Sequence, residues 1–162
     1  MTHTRAWLRN NNNIVNWLLL AVMLLVTAPI LVIPYAYYDL KSVQVSPVGT
    51  GFYVTADRSI RQDFQGKYSV AVLREDHSAV CHYKTPEWLG YRANAGNTNP
   101  LVKPLWWWIG SDVALENCIN RGFHSGQFYI ETCHWVQFWI IPMGPRCVLS
   151  NLFEAPKHEA LQ

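Results

Sequence analysis

The chain has 162 residues, of which 50% are apolar and 15% are charged. This length allows one domain of ordinary size rather than two, and the high apolar content with few charges excludes an intrinsically disordered protein. The formal net charge of +2 is too small for a nucleic-acid binding surface, so we expect no nucleic-acid partner.

The first predicted element is a membrane-spanning helix at residues 14–34. No charged side chain lies between Arg9 and Asp39, and at about 1.5 Å per residue the apolar run reaches roughly 30 Å, the thickness of a bilayer core. A core helix of a soluble protein would need more surrounding chain than remains here. We therefore predict a membrane anchor over residues 14–38. The aromatic residues expected at the membrane surfaces are Trp7 and Trp17 on one side and Tyr35, Tyr37 and Tyr38 on the other.

The basic residues near the predicted span indicate its direction. Arg5 and Arg9 precede the span, whereas Lys41 follows it. Since basic residues favour the cytoplasmic side, we expect residues 1–13 in the cytoplasm and residues 39–162 on the opposite side of the membrane.

A cleaved signal peptide is the main alternative to an anchor, because a basic segment before an apolar stretch is also typical of secretory leaders. The apolar stretch is longer than most signal-peptide cores, and Pro29 directly follows the small residue Ala28. These flanks favour an uncleaved signal anchor.

Beyond Ser42 the sequence predicts an all-β domain. Short alternating segments separated by Gly, Pro, Asp and Asn replace the helical pattern, which is typical of antiparallel sheets. About six strands in about 110 residues fit a small β-sandwich. The predicted strands are residues 43–46, 51–56, 67–74, 79–83, 127–137 and 146–153. Residues 84–117 depart from this spacing, and we predict a long excursion held down by its tryptophans.

The four cysteines all follow the predicted span, at Cys81, Cys118, Cys133 and Cys147. An even number on an oxidising side of the membrane predicts two disulfides. If the last two strands form a hairpin that turns at residues 140–143, Cys133 faces Cys147, and Cys81 then pairs with Cys118. An inter-sheet bridge from Cys81 to Cys133 also suits a sandwich, and the sequence leaves both connectivities open.

Two stretches near the C-terminus resemble the last two strands of small immunoglobulin-like extracytoplasmic domains. They are G-Q-F-Y-I-E-T-C-H-W at residues 126–135 and R-C-V-L-S-N-L-F-E at residues 146–154. Together with the N-terminal anchor, the chain is similar to single-span membrane proteins of tailed bacteriophages and prophages. The resemblance implies an immunoglobulin-like fold, a bacterial envelope location and an accessory role in phage exclusion or lysis regulation. It implies no catalytic residue.

The Cys-His dipeptides at Cys81-His82 and Cys133-His134 are the candidates for metal or thiol chemistry. They lack the C-x₂₋₄-C spacing of structural zinc sites, and neighbouring residues of a strand point to opposite faces. An oxidising compartment would also consume a reactive thiol. We therefore expect neither a metal nor another cofactor.

Pairs of acidic residues are the candidate general acid and base of an envelope enzyme that acts on cell-wall glycan. Glu75 and Asp76 lie in a predicted turn, while Asp112 and Glu116 have helical spacing on a predicted surface. Turn and surface carboxylates are common without catalysis. Serine-elbow, phosphate-loop and dinucleotide motifs are absent from the sequence, and we expect no enzyme.

The tryptophans are the candidate binding residues. If extended, Trp106, Trp107 and Trp108 cannot all face one core, so at least one is expected at a surface. Trp135 and Trp139 add apolar surface near the final hairpin. Exposed aromatics are typical of binding surfaces, and an oversized aromatic core is an equal alternative.

Together with the resemblance to phage and prophage membrane proteins, these patterns predict a single-pass protein of the bacterial inner membrane with a non-enzymatic interaction module at residues 39–162 in the periplasm. The expected partners are the lipid bilayer and an envelope protein. Two other function classes stay open: a subunit of a larger membrane complex, and an envelope enzyme acting on cell-wall glycan.

Overall fold

The computed structural model describes residues 3–48, 51–93, 100–123 and 125–155. Residues 1–2 of the predicted cytoplasmic segment and residues 94–99 of the predicted excursion lie outside these ranges. The helices are α1 (His3–Tyr37), α2 (Leu105–Trp108) and α3 (Asp112–Asn120). The strands are β1 (Tyr38–Val48), β2 (Gly51–Ile60), β3 (Phe64–Arg74), β4 (Ala79–Lys84), β5 (Leu89–Tyr91), β6 (Leu101–Pro104), β7 (Gln127–Phe138), β8 (Ile141–Leu149) and β9 (Phe153–Glu154).

Helix α1 is apolar and long enough to cross a membrane. Its segment Asn13–Tyr37 has 25 residues, and the most apolar 18-residue window has a mean hydropathy of 2.5 and is only 6% buried. A core helix of a soluble domain would bury such side chains against the domain. The expected apolar N-terminal helix is therefore confirmed, although it begins at His3 rather than at residue 14.

The aromatic residues expected at the membrane surfaces occupy different environments. Trp17 and Tyr35 are exposed on α1, at 72% and 50% of their surface. Tyr38 is 1% exposed, because it begins β1 and points into the core of the β domain. The Tyr38 ring is therefore covered by protein, while its depth relative to a membrane stays a prediction. The side chain of Trp7 is not among those that the structure describes.

The strands of the described chain form two sheets. One has the order β1-β2-β6, and the other has the order β4-β3-β7-β8, with β5 paired to β3 and β9 paired to β7. All these pairs are antiparallel, which confirms the predicted antiparallel β domain. The predicted last strand at residues 146–153 is instead divided, since β8 ends at Leu149 and β9 begins at Phe153.

Both sheets contribute to one apolar core. The first sheet contributes Leu40 and Val54, and the second contributes Val72 and Ile130, each at most 2% exposed. Even-numbered residues of β7 from Phe128 to Val136 are buried between the sheets, as the alternation of a strand requires. The excursion contributes α2, which packs on this core.

The two sheets are also joined along one edge. Val43 of β1 forms a parallel bridge with Ser150. The amide side chain of Asn151 accepts a hydrogen bond from Val45 N (2.7 Å) and donates one to Val45 O (3.1 Å). These contacts satisfy backbone groups of an edge strand that would otherwise need water.

The two disulfides have the pairing that hairpin geometry favoured. Cys81 of β4 is bonded to Cys118 of α3, and Cys133 of β7 is bonded to Cys147 of β8. The first bridge therefore ties the excursion to the second sheet, and the second joins two neighbouring strands.

The turn between β7 and β8 differs from the predicted one at residues 140–143. Phe138 pairs with Ile141, so the turn consists of the two residues between them. A bulge adds one residue to β8 between the turn and Cys147, which shifts the register by one position. Cys133 and Cys147 therefore still face each other.

Gly110, which follows α2, is expected to be intolerant of a side chain. Its φ is +97°, and a Cβ would collide with the ring of Tyr83. Gly110→Ala should therefore lower the free energy of unfolding by about 1–3 kcal/mol, measured by urea denaturation of the detergent-solubilised chain. The matched control is Gly51→Ala, whose Cβ would meet nothing within 4 Å. Equal stability of the two variants would contradict this expectation.

Candidate binding surfaces

The three consecutive tryptophans form α2, a single helical turn, and therefore point in three directions. Trp108 is 2% exposed and lies in the core. Trp107 stacks on Tyr68, with a distance of 6.3 Å between ring centroids. Trp106 is 41% exposed. Of these three predicted binding residues, only Trp106 offers a large free surface.

Trp106 lines an apolar groove of about 270 Å³, which we call the distal groove. Its other apolar walls include Val48, Phe52, Leu105, Leu115, Ile119 and Phe123. Val48 ends β1 while α1 joins the start of that strand, so the length of β1 places the groove about 35 Å from α1. The groove is smaller than most drug-sized ligand sites, which have about 300–1,000 Å³, and it suits a single protruding apolar side chain.

Trp135 lies on the outer face of the second sheet, opposite Lys67 of β3. The Nζ atom of Lys84 is 4.8 Å from the centroid of the Trp135 ring. Lys67 makes the same kind of contact with Trp88, at 5.0 Å. These cation–π contacts cover part of each ring, and the sequence interpretation missed Trp88 and both lysines. The alternation of β3 and β7 could have placed Lys67 beside Trp135.

Trp139 lies in the turn between β7 and β8, and we call residues 138–141 the hairpin tip. Trp139 and Ile140 are each 87% exposed. Phe138 of the tip contacts Tyr37 at the end of α1, with ring centroids 6.4 Å apart. The hairpin tip and the distal groove therefore lie at opposite ends of the domain, and the predicted binding tryptophans do not form one surface.

A polar cluster inside the domain was missed by sequence reasoning. His134 of β7 is 5% exposed, and its Nε2 lies 3.5 Å from the hydroxyl of Tyr38. A cavity of about 150 Å³ next to it is also lined by Arg58, Tyr68 and Tyr91. These residues come from five strands, so no local pattern in the sequence brings them together.

Burial sets the protonation states in this cluster. Burial lowers the pKa of His134 to about 3, and the nearby guanidinium of Arg58 acts in the same direction. Burial also raises the pKa of Tyr68 to about 12, and the hydroxyl of Tyr83 adds to that rise. The imidazole is therefore neutral and the Tyr68 phenol protonated at neutral pH, and such an imidazole is a weak general base.

The four cysteines are disulfide-bonded, and the acidic pairs of the sequence prediction lie in a turn and on an exposed helix. Both disulfides consume the thiolates that metal binding or nucleophilic attack would need. Asp76 accepts a hydrogen bond from Ser78 N (2.9 Å) in the turn between β3 and β4, as a turn carboxylate does. Asp112 and Glu116 are exposed on α3.

The arrangement therefore offers two apolar surfaces, at the two ends of a disulfide-bonded domain. The distal groove accepts an apolar side chain, and the hairpin tip exposes apolar side chains beside α1. No protein-family model and no curated protein matches the chain.

Proposed function

We propose that the chain is a single-pass protein of a bacterial inner membrane whose periplasmic domain is a non-enzymatic interaction module. The observation that carries the proposal is an exposed apolar helix that continues directly into a domain with two disulfides. An exposed apolar helix of 25 residues is stable in a bilayer, and disulfides persist in oxidising compartments. Arg5 and Arg9 before the span favour a cytoplasmic N-terminus.

The strand order supports an immunoglobulin-like assignment of the domain. The sheet β1-β2-β6 corresponds to strands A, B and E of that fold, and β4-β3-β7-β8 corresponds to C′, C, F and G. Antibody domains have a disulfide between strands B and F. In this chain the cysteine of the F-like strand, Cys133, is bonded to Cys147 of the G-like strand instead.

The resemblance to single-span phage and prophage proteins supports a role in an envelope system, such as phage exclusion or lysis regulation. The tether keeps the domain at the membrane, and the distal groove faces away from it. We propose that an envelope protein inserts an apolar side chain into the groove beside Trp106. Aromatic-lined apolar sites of this kind often dominate the binding energy of an interface.

Crosslinking in living cells tests the groove. In the host envelope, Trp106→Ser is expected to reduce the yield of a specific crosslinked protein by at least about tenfold, since a central interface aromatic is worth about 2 kcal/mol or more. Trp88→Ser is the control, because Trp88 is also partly exposed but lies on the outer face of the second sheet. An unchanged yield with Trp106→Ser at equal protein levels would refute the groove as the partner site.

A further inference from the structure

We propose that the hairpin tip dips into the lipid interface beside the anchor and gives the domain a second attachment to the same bilayer. This inference rests on the proposed function, because it requires that α1 spans a membrane. The partner is the headgroup and upper acyl region of the bilayer. The tip would then orient the domain so that the distal groove points away from the membrane.

The exposure of the tip is the first reason for this assignment. Trp139 and Ile140 are each 87% exposed, and Ile141 is 53% exposed. Phe138 stacks on Trp139 with ring centroids 6.2 Å apart. These neighbouring side chains form an apolar projection that water does not favour, and such patches mark protein or membrane contacts.

The residue types in the turn are the second reason. Two-residue hairpin turns ordinarily contain Asn, Asp or Gly, which tolerate positive φ. This turn instead has Trp139 at φ 58°, a conformation that is uncommon for a bulky side chain. The side chain of Gln137 donates a hydrogen bond to Trp139 O (2.9 Å) and holds the turn. The turn therefore presents a tryptophan where backbone geometry alone would favour a small polar residue.

The position of the tip is the third reason. Tyr37, at the end of α1, contacts Phe138 of the tip. The guanidinium of Arg146 on β8 lies 3.6 Å from the ring centroid of Tyr35 and donates a hydrogen bond to Asp39 (2.9 Å). These contacts brace the β7–β8 hairpin against the end of the anchor.

The end of a membrane-spanning helix lies at the bilayer interface, where tryptophan and tyrosine are enriched. The hairpin tip is held beside that end, so its exposed side chains reach the same depth. An amphipathic tryptophan is suited to this region, with its ring among the acyl chains and its indole N–H near the headgroups. Lipid therefore explains the exposure, the turn residues and the position of the tip together.

Fluorescence quenching tests the inference on the full chain in phosphatidylcholine vesicles whose acyl chains are brominated near the headgroup. Three single variants are compared with the unchanged chain: Trp17→Phe in α1, Trp139→Phe in the tip and Trp106→Phe in the distal groove. Trp17→Phe and Trp139→Phe are each expected to remove emission that the brominated lipid quenches. Trp106→Phe is expected to remove only emission that the lipid leaves unquenched.

The three variants separate the possible failures. If Trp17→Phe removes quenched emission but Trp139→Phe behaves like Trp106→Phe, the anchor is in the bilayer and the tip is not. That result overturns the inference but not the proposed function, and the tip would then contact water or a protein. If Trp17→Phe also removes only unquenched emission, α1 does not enter the bilayer, and both the inference and the proposed function fail.

Discussion

Replacing Cys81 and Cys118 together by Ala is expected to lower the free energy of unfolding by about 4 kcal/mol or more. The bridge closes a loop of 37 residues, and the chain entropy that such a closure removes from the unfolded state corresponds to about 4 kcal/mol. Cys118 is also 2% exposed in the core, so its truncation leaves unfilled space. Urea denaturation of the detergent-solubilised chain, followed by tryptophan fluorescence, measures the loss.

The second disulfide provides the matched comparison. Cys133 and Cys147 close only 14 residues, which corresponds to about 3 kcal/mol in the same treatment. Their strands also stay aligned through the other pairs of the β7–β8 ladder, whereas the excursion depends on Cys118 for its bond to β4. We therefore expect the Cys81–Cys118 bridge to stabilise the domain more than the Cys133–Cys147 bridge. A larger decrease in the free energy of unfolding for the Cys133/Cys147 double variant would contradict this expectation.

Acidification is expected to destabilise the domain through His134. Burial lowers its pKa to about 3 in the folded chain, whereas an unfolded histidine has a pKa near 6.5. Between these values the unfolded state binds a proton that the folded state excludes. The contribution of neutral His134 to the free energy of unfolding is therefore complete above pH 6.5. As the pH falls toward 3, the free energy of unfolding decreases by up to about 1.4 kcal/mol per pH unit.

The groups around His134 explain why the folded state excludes the proton. Tyr38 and Tyr68 pack on its ring, with centroids 4.7 and 5.9 Å away, and Arg58 adds a positive charge nearby. His134→Phe should remove this part of the pH dependence when urea midpoints at pH 7 and pH 5 are compared. His82→Gln, at an exposed position on β4, should keep it. The same pH dependence in His134→Phe and the unchanged chain would show that another group is responsible.

The elements that sequence predicted correctly depend on local spacing. The apolar run of α1 and the alternation of β7 are visible within a few residues of each position, so the helix and the strands follow from them. The pairing of Cys133 with Cys147 is similarly local. It was predicted from the equal distance of the two cysteines from Ile140 in a turn at residues 140–143, whereas the turn consists of residues 139–140 and the extra residue of the β8 bulge brings Cys147 opposite Cys133.

The candidate surfaces were harder to predict because they depend on rotation and on distant strands. The sequence prediction for Trp106, Trp107 and Trp108 considered the case of an extended segment, whereas in α2 each residue turns by about 100° from the one before. Trp108 therefore enters the core while Trp106 reaches the distal groove. Tyr38 and His134 are 96 residues apart in sequence, and only the packing of the two sheets brings them together.

The proposed topology places the disulfide-bonded domain on the periplasmic side of the inner membrane. Labelling with a membrane-impermeant maleimide tests this topology most directly. In spheroplasts of a Gram-negative bacterium, the exposed Cys147 is expected to resist labelling until an impermeant reductant is added, and then to react without lysis. A Thr4→Cys variant, with its new thiol before the span, is expected to react at that position only after lysis. Reaction of Cys147 without reductant, or only after lysis, would contradict the proposed topology.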